Sequence, residues 1–198
     1  MSAHAAHAEH ATTTGLDHRK IGMWAMLGSE CMFFGSLVLV NLINKNNLKG
    51  LDPAHFGHGI LDLVLTSSTT FVLLTSSLAM VLALAAFRNG NKPWGRFWLA
   101  VVMLFGLIFL GGQVYEFSSF VHDGLTPSTN LFGASFFMLV GFHGAHVALG
   151  VLWLGATFVY SFRNYFDRRH TWGIEMAGLY WHFVDLVWVA IFTLIYLI

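Results

Sequence analysis

Five stretches of this 198-residue chain, 21–43, 60–87, 97–121, 131–161 and 174–198, are apolar and long enough to cross a bilayer, yet they enclose Glu30, Glu116, His143, His146, His182 and Asp185. A hydrocarbon core about 30 Å thick is spanned by roughly 20 helical residues. Ionisable side chains are costly there unless they pair or serve a function. The expected fold is all-α: an integral membrane bundle of five transmembrane helices over 21–198, preceded by a polar N-terminal tail over 1–20.

Composition agrees. With 56% hydrophobic and 10% charged residues, the chain lies outside the range of soluble or disordered sequences. A formal net charge of zero gives no electrostatic case for nucleic acid. The single cysteine, Cys31, lies inside the first stretch, which excludes a disulfide framework and a multi-cysteine metal site within this chain. It is expected to act as a small buried hydrophobe.

Residues 1–20 are rich in Ala, His and Thr and lack the apolar core of a signal peptide. They read as a disordered tail. His4, His7 and His10 recur every third residue, a pattern that can bind metal weakly.

Pro53, Pro93 and Pro127 fall in the gaps between spans, where a missing N–H does no harm. The gaps are short, so neighbouring helices are expected antiparallel. With five spans, one side carries Arg19, Lys20, Arg88, Lys92, Arg96, Arg163, Arg168 and Arg169, the other only Lys45 and Lys49. Cytoplasmic loops carry the excess of basic residues. That asymmetry places the N-terminus inside and the C-terminus outside.

Helices in lipid associate through close contact at small residues, and Gly141 with Ala145 and Gly144 with Ala148 supply such pairs on the fourth span. The second span carries a run of hydroxyls from Thr66 to Thr70, then Thr75, Ser76 and Ser77. These are expected to bond mostly to their own helix and to mark helix contact.

By helix rise, Glu30, His182 and Asp185 sit about 12 to 16 Å from the inner ends of their spans. His143 and His146 lie near mid-membrane on one helix face. Glu116 is nearer the outer end, accompanied by Gln113 and Tyr115. A carboxyl such as Glu30 in apolar surroundings is expected to be neutral or hydrogen-bonded. Four readings fit this polar set: a metal site, a haem held by two of His143, His146 and His182, a proton path, or an internal polar network that fixes helix register. The Glu-x-x-His spacing of di-iron bundles is absent. So are a nucleophile triad, a phosphate-cradling glycine loop and a dinucleotide fingerprint.

Motifs on all five spans then carry a resemblance. Ser29, Glu30, Phe33 and Phe34 match a Ser-Glu-x-x-Phe-Phe helix; Leu74 to Ser77 match a Ser-rich turn, with Thr69 where Asn is common; Gln113 and Glu116 precede Asp123 and Gly124. The fourth span reads FGASFFMLVGFHGAHV from Phe132 to Val147, and the fifth HTWGIEMAGLYWHFVDLVW from His170 to Trp188. In this order they resemble subunit III of the haem-copper terminal oxidases, over nearly the whole chain. The chain is similar to the five-helix bacterial form, with the tail standing where a longer form has two further helices and where a lipid cleft would be walled.

The resemblance implies a non-catalytic core subunit of a respiratory complex that reduces O2 to water and moves protons. Haem and copper would belong to other subunits, with no cofactor or metal in this chain. Glu30 would match the family's carbodiimide-reactive carboxylate, near bound phospholipid and a proposed O2 route. Glu116, His143, His146, His182 and Asp185 would form the internal polar network. Subunit I would be the main partner, with subunit II and phospholipids beside it, in a bacterial plasma membrane. The motifs look closer to the cytochrome c oxidases than to quinol oxidases. A stand-alone haem or metal redox protein and an accessory subunit of nitric oxide reductase are the alternatives.

Overall fold

The computed structural model describes residues 18–47, 63–122, 126–128, 131–163 and 171–197. His4, His7, His10, Lys49, Pro53, Asp123, Gly124, Arg168, Arg169 and His170 lie outside the described residues. Five helices account for nearly all the rest: α1 (His18–Asn47), α2 (Leu63–Arg88), α3 (Lys92–His122), α4 (Leu131–Phe162) and α5 (Trp172–Ile191), which continues as a π-helical segment over Phe192–Leu197. All five are long and apolar enough to cross a membrane.

The helices alternate in direction, as their ends show. Lys20 at the start of α1, Arg88 at the end of α2 and Glu175 at the start of α5 meet at one end of the bundle. Arg96 in the first turns of α3 donates to the Ser161 carbonyl in the last turn of α4 at 2.7 Å, at that same end. At the opposite end, Lys45 donates to the Ile195 carbonyl at 3.3 Å and Asn44 to the Leu131 carbonyl at 3.4 Å. Helices α2, α3, α4 and α5 pack in a closed ring, and α1 seats against α4 and α5.

The α2–α3 connection is the tightest. The Gly90 N–H bonds the Phe87 carbonyl and the Asn91 N–H bonds the Ala86 carbonyl, with Gly90 at φ 76°. This is a Schellman closure, in which the left-handed residue is glycine because a Cβ is disfavoured there. The Asn91 carbonyl then accepts from the Gly95 N–H, so α3 begins at Lys92, five residues before the expected 97. Pro93 is therefore inside α3 and not in a gap. In a first turn the N–H that proline lacks would have had no intrahelical partner, and its fixed φ suits the helix. Gly95 lets the two helices approach, since a Cβ there would stand 2.6 Å from the Phe87 ring.

Two further expectations are corrected. Cys31 is exposed on α1, because α1 packs on the bundle by one side only and Cys31 falls on the other. Gly141 faces open space and Ala145 is exposed, so that small-residue pair marks no contact among the described residues. Gly144 does: a Cβ on it would stand 2.8 Å from the Gln113 amide.

The ring is plugged by Trp181, which is fully buried. Its indole N–H donates to Ser76 Oγ on α2 at 2.9 Å. A Cβ at Gly106 on α3 would lie 2.7 Å from its Cη2, and one at Gly150 on α4 would lie 3.0 Å from its Cε3 and Cζ3. Two glycines and one hydroxyl on three helices thus shape a slot for one ring. Where apolar side chains gain nothing by leaving lipid tails for each other, such fit and hydrogen bonding drive association.

Candidate functional site

The hydroxyl run on α2 is read by α5. Trp188 Nε1 donates to Thr70 Oγ1 at 2.9 Å, Trp181 Nε1 to Ser76 Oγ at 2.9 Å, and His182 Nδ1 lies 2.6 Å from Ser77 Oγ. As α5 advances from 181 to 188, its partner on α2 retreats from 76 to 70, the register of an antiparallel pair. Thr70 and Ser76 also bond back to carbonyls of Thr66 and Leu73. Each hydroxyl therefore donates along its own helix and accepts across the interface, as its two kinds of bonding capacity permit.

The intramembrane polar residues sort into separate centres. The first joins α1 to α4: His146 Nε2 lies 3.3 Å from Glu30 Oε2, with Glu30 27% and His146 17% exposed in their side chains. His146 Nδ1 is 2.7 Å from the Phe142 carbonyl. A carbonyl only accepts, so Nδ1 carries a proton there. The contact from Nε2 to the carboxyl then holds one shared proton, either on the acid or on the imidazole. Phe34 covers the His146 ring at 5.0 Å and Phe33 flanks it at 6.4 Å. Glu30, Phe33 and Phe34 fall on one face of α1 by their three- and four-residue spacing, which gives the Ser-Glu-x-x-Phe-Phe motif its local reason.

The second centre lies at the opposite end from Glu175. Glu116, 4% exposed, accepts from Thr66 Oγ1 at 2.6 Å and from the Tyr196 hydroxyl at 3.2 Å, so one carboxyl ties α2, α3 and the π-helical segment. Gln113, one turn earlier, donates to the Val140 carbonyl at 2.7 Å across the α3–α4 contact that Gly144 opens. Tyr115 is 67% exposed and turns away from both.

The third centre is His182, Ser77 and Asp185. Asp185 is 3% exposed, with the Ser77 hydroxyl as its side-chain neighbour, and among the described residues no other donor meets its carboxyl oxygens. His143 stands apart from all three. It is fully buried, its ring stacked on Trp188 at 4.9 Å and its edges met by Phe34 and Phe109 at 6.3 and 5.9 Å. Neither ring nitrogen has a hydrogen bond. Among the described residues no three His, Cys, Asp or Glu side chains converge as a metal site.

Sequence reading passed over one cluster. Glu175 accepts from Lys20 at 3.0 Å and Arg88 at 3.2 Å, joining three helices at the basic end of the bundle. Its signal is an acid in the first turn of a helix, on the side that otherwise carries basic residues.

With this geometry in place, the family follows. The family model for cytochrome c oxidase subunit III matches residues 1–198. This chain belongs to that family. It is similar to cytochrome c oxidase subunit 3 of Bacillus subtilis (strain 168), 36% identical over 178 residues that cover 89% of this chain and 84% of the relative. Cytochrome c oxidase subunit 3 of Bacillus sp. (strain PS3) is 35% identical over 193 residues, covering 98% and 91%. A probable quinol oxidase subunit 3 of Staphylococcus aureus (strain USA300) is 33% identical over 181 residues, covering 90% and 88%. As a subunit III, the chain is a multi-pass membrane component of a respiratory oxidase complex, a family whose haem and copper are carried by other subunits.

Proposed function

We propose that this subunit III is a non-catalytic scaffold of a proton-pumping cytochrome c oxidase in a bacterial plasma membrane. Subunit I would be its main neighbour, with subunit II in the same complex. The observation that carries this reading is the subunit III match over all 198 residues together with the use of the polar side chains. Glu116, Trp181, Trp188 and Gln113 each bridge helices through hydrogen bonds, a structural employment. Glu30 with His146, Glu116 with Thr66 and Tyr196, and His182 with Ser77 accordingly serve as contacts that set helix register, with His143 packed among aromatic rings, Asp185 beside Ser77, and Glu30 the reactive carboxyl.

The basic end, with Lys20, Arg88, Lys92 and Arg96, faces the cytoplasm by the positive-inside rule. Phospholipid is the expected occupant of an apolar groove of about 610 Å3 between α3 and α4, lined by Met103, Val151, Gly155 and Phe158 and ending at Tyr160 and Arg163. The groove suits an acyl chain and the arginine a phosphate.

Purification in mild detergent tests the assignment. The chain should co-purify with a haem- and copper-bearing subunit, and solitary behaviour overturns the reading. A second reading, subunit III of a quinol oxidase, is favoured by the Staphylococcus relatives. Oxygen consumption by the same complex with reduced cytochrome c against a quinol decides between the two donors.

A further inference from the structure

A cavity of about 210 Å3 opens between α2 and α5 and is lined by Met80, Leu84, Arg88, Glu175, Gly178 and His182, among others. Arg88 and Glu175 stand at the basic end of the bundle, and His182 lies about 10 Å deeper by the rise of α5. Gly178, one turn before His182, leaves the passage without a side chain, and a Cβ there would stand 3.2 Å from Met80 Cε. His182 uses Nδ1 toward Ser77, which leaves Nε2 for the cavity.

Behind this pair is the uncompensated group. Asp185 is 3% exposed, and beyond the neighbouring Ser77 hydroxyl no donor among the described residues meets its carboxyl oxygens. A buried polar group is costly unless its hydrogen-bonding capacity is met. Other charged groups on helices packed against α5 are engaged elsewhere: Lys20 and Arg88 with Glu175, Glu30 with His146, Lys45 with the Ile195 carbonyl. His143 is packed against Trp188. The demand of Asp185 is therefore met through Ser77 and the cavity. At about 30 Å3 per water in the liquid, the cavity has room for several, with Arg88, Glu175 and His182 as their polar partners.

We infer that the α2–α5 cavity is a water-filled inlet that delivers exchangeable protons from the Lys20–Arg88–Glu175 cluster to a His182–Ser77–Asp185 relay in mid-membrane. A proton carried into the cavity on a protonated water passes to Nε2 of the neutral His182, leaving a water behind. Nδ1 releases its proton to Ser77 Oγ as the Ser77 hydroxyl passes its own to the Asp185 carboxylate. One proton has moved, Ser77 is unchanged, and the imidazole is neutral in its other tautomer; the reverse sequence resets it. The inference rests on the geometry of α2 and α5 and stands whichever catalytic subunit the chain serves.

Two measurements on the purified complex in lipid nanodiscs test it. Cys31→Ser removes the exposed native thiol, and Leu179→Cys is placed on the cavity wall, with the exposed Leu186→Cys as control. Only the thiolate reacts, and it forms only where water reaches. A charged methanethiosulfonate reagent should modify Leu179→Cys about tenfold faster than Leu186→Cys. Equal rates, as an acyl chain filling the cavity would give, overturn the inlet.

Infrared difference spectra in D2O should show a carboxyl band that shifts within minutes and vanishes in Asp185→Asn. Ser77→Ala and His182→Phe should each slow that shift about tenfold, the factor for about 1.4 kcal/mol of added barrier. A band that stays unshifted for hours, exchange unchanged in both variants, or no Asp185-dependent band at any pH the complex tolerates overturns the relay.

Discussion

Gly106→Ala tests whether the Trp181 slot holds the ring of helices together. The added Cβ would stand 2.7 Å from Trp181 Cη2 and 2.8 Å from Val151 Cγ2, about 1 Å inside an ordinary carbon contact. Neither neighbour yields easily. Val151 is β-branched, and Trp181 is held by Ser76 on one side and by the backbone of Gly150 on the other. Overpacking of this kind costs about 1–3 kcal/mol, and a ring that escapes by breaking its bond to Ser76 forfeits about 1 more. Alanine returns up to about 1 kcal/mol of helix preference. The net loss is about 1–3 kcal/mol, and at about 2–4 °C per kcal/mol for a chain of this size the melting midpoint of the solubilised protein falls by several degrees. Gly141→Ala, which meets nothing within 4 Å, is the matched control and should melt at or a few degrees above the wild type, by the same helix preference of up to about 1 kcal/mol. Trp181→Phe removes the carbon that collides, so the double variant should lose less than the sum of the singles. Gly106→Ala melting together with Gly141→Ala would refute the slot as a determinant of stability.

Gly90→Ala, at φ 76°, should cost about 1–2 kcal/mol from the left-handed backbone alone, measured as the same melting shift, whereas Gly90→Asn should lose less. A double-mutant cycle of Glu30→Ala with His146→Ala should return a coupling of about 0.6–1.7 kcal/mol, the range for hydrogen bonds inside membranes; a coupling of zero denies the α1–α4 pair. Trp188→Phe should lower stability by about 1–3 kcal/mol, since it leaves Thr70 without its donor and a void beside His143. Thr70→Val should recover little further loss on that background, which thermal denaturation of the single and double variants can read. Glu175→Gln should change stability by less than about 1 kcal/mol, because its partners Lys20 and Arg88 are roughly half exposed.

Helix number, alternation and the end at which basic residues gather were legible because they follow from length, apolarity and charge, which are additive along a sequence. The start of α3 was not. Proline reads as a breaker unless the closure at Gly90 and the capping carbonyl of Asn91 are seen together, and those are geometric facts about six residues at once. The polar set was legible as a list of residues at matching depths but not as partners. Depth says that Glu30 and His146 share a level, and rotation of one helix about its axis decides whether they touch. Rotation within the ring is fixed by contacts such as the Trp181 slot, whose glycines lie on α3 and α4, and that of α1 by its seat against α4 and α5, and such contacts leave no mark at short range in sequence. The small-residue rule accordingly found in Gly144 a contact inside the bundle and in Gly141 a position that no described residue meets, since spacing identifies a face and not what meets it.

The distribution of met and unmet polar groups argues for where the neighbour docks. The exposed hydroxyls of α1, Ser29 and Ser36, bond back to the carbonyls of Met26 and Phe33 at 2.7 Å each, so they ask nothing of a surrounding medium. Trp24, Met32 and Leu39 on the same helix are 62%, 81% and 58% exposed. A face built this way can lie against lipid or against another apolar helix without penalty. Glu30 is the exception, a part-exposed carboxyl at the rim of that face whose known partner is one imidazole nitrogen. Lipid tails offer its remaining oxygen nothing, whereas a helix from another subunit can bring a donor. If α1 is the docking helix, a bulky charged residue at an exposed α1 position such as Met32→Arg should release the chain from its oxidase partner. The same change at Leu152 on α4, 70% exposed and on the far groove, should leave the complex intact. Retention of the partner by Met32→Arg with loss by Leu152→Arg would move the interface to α4.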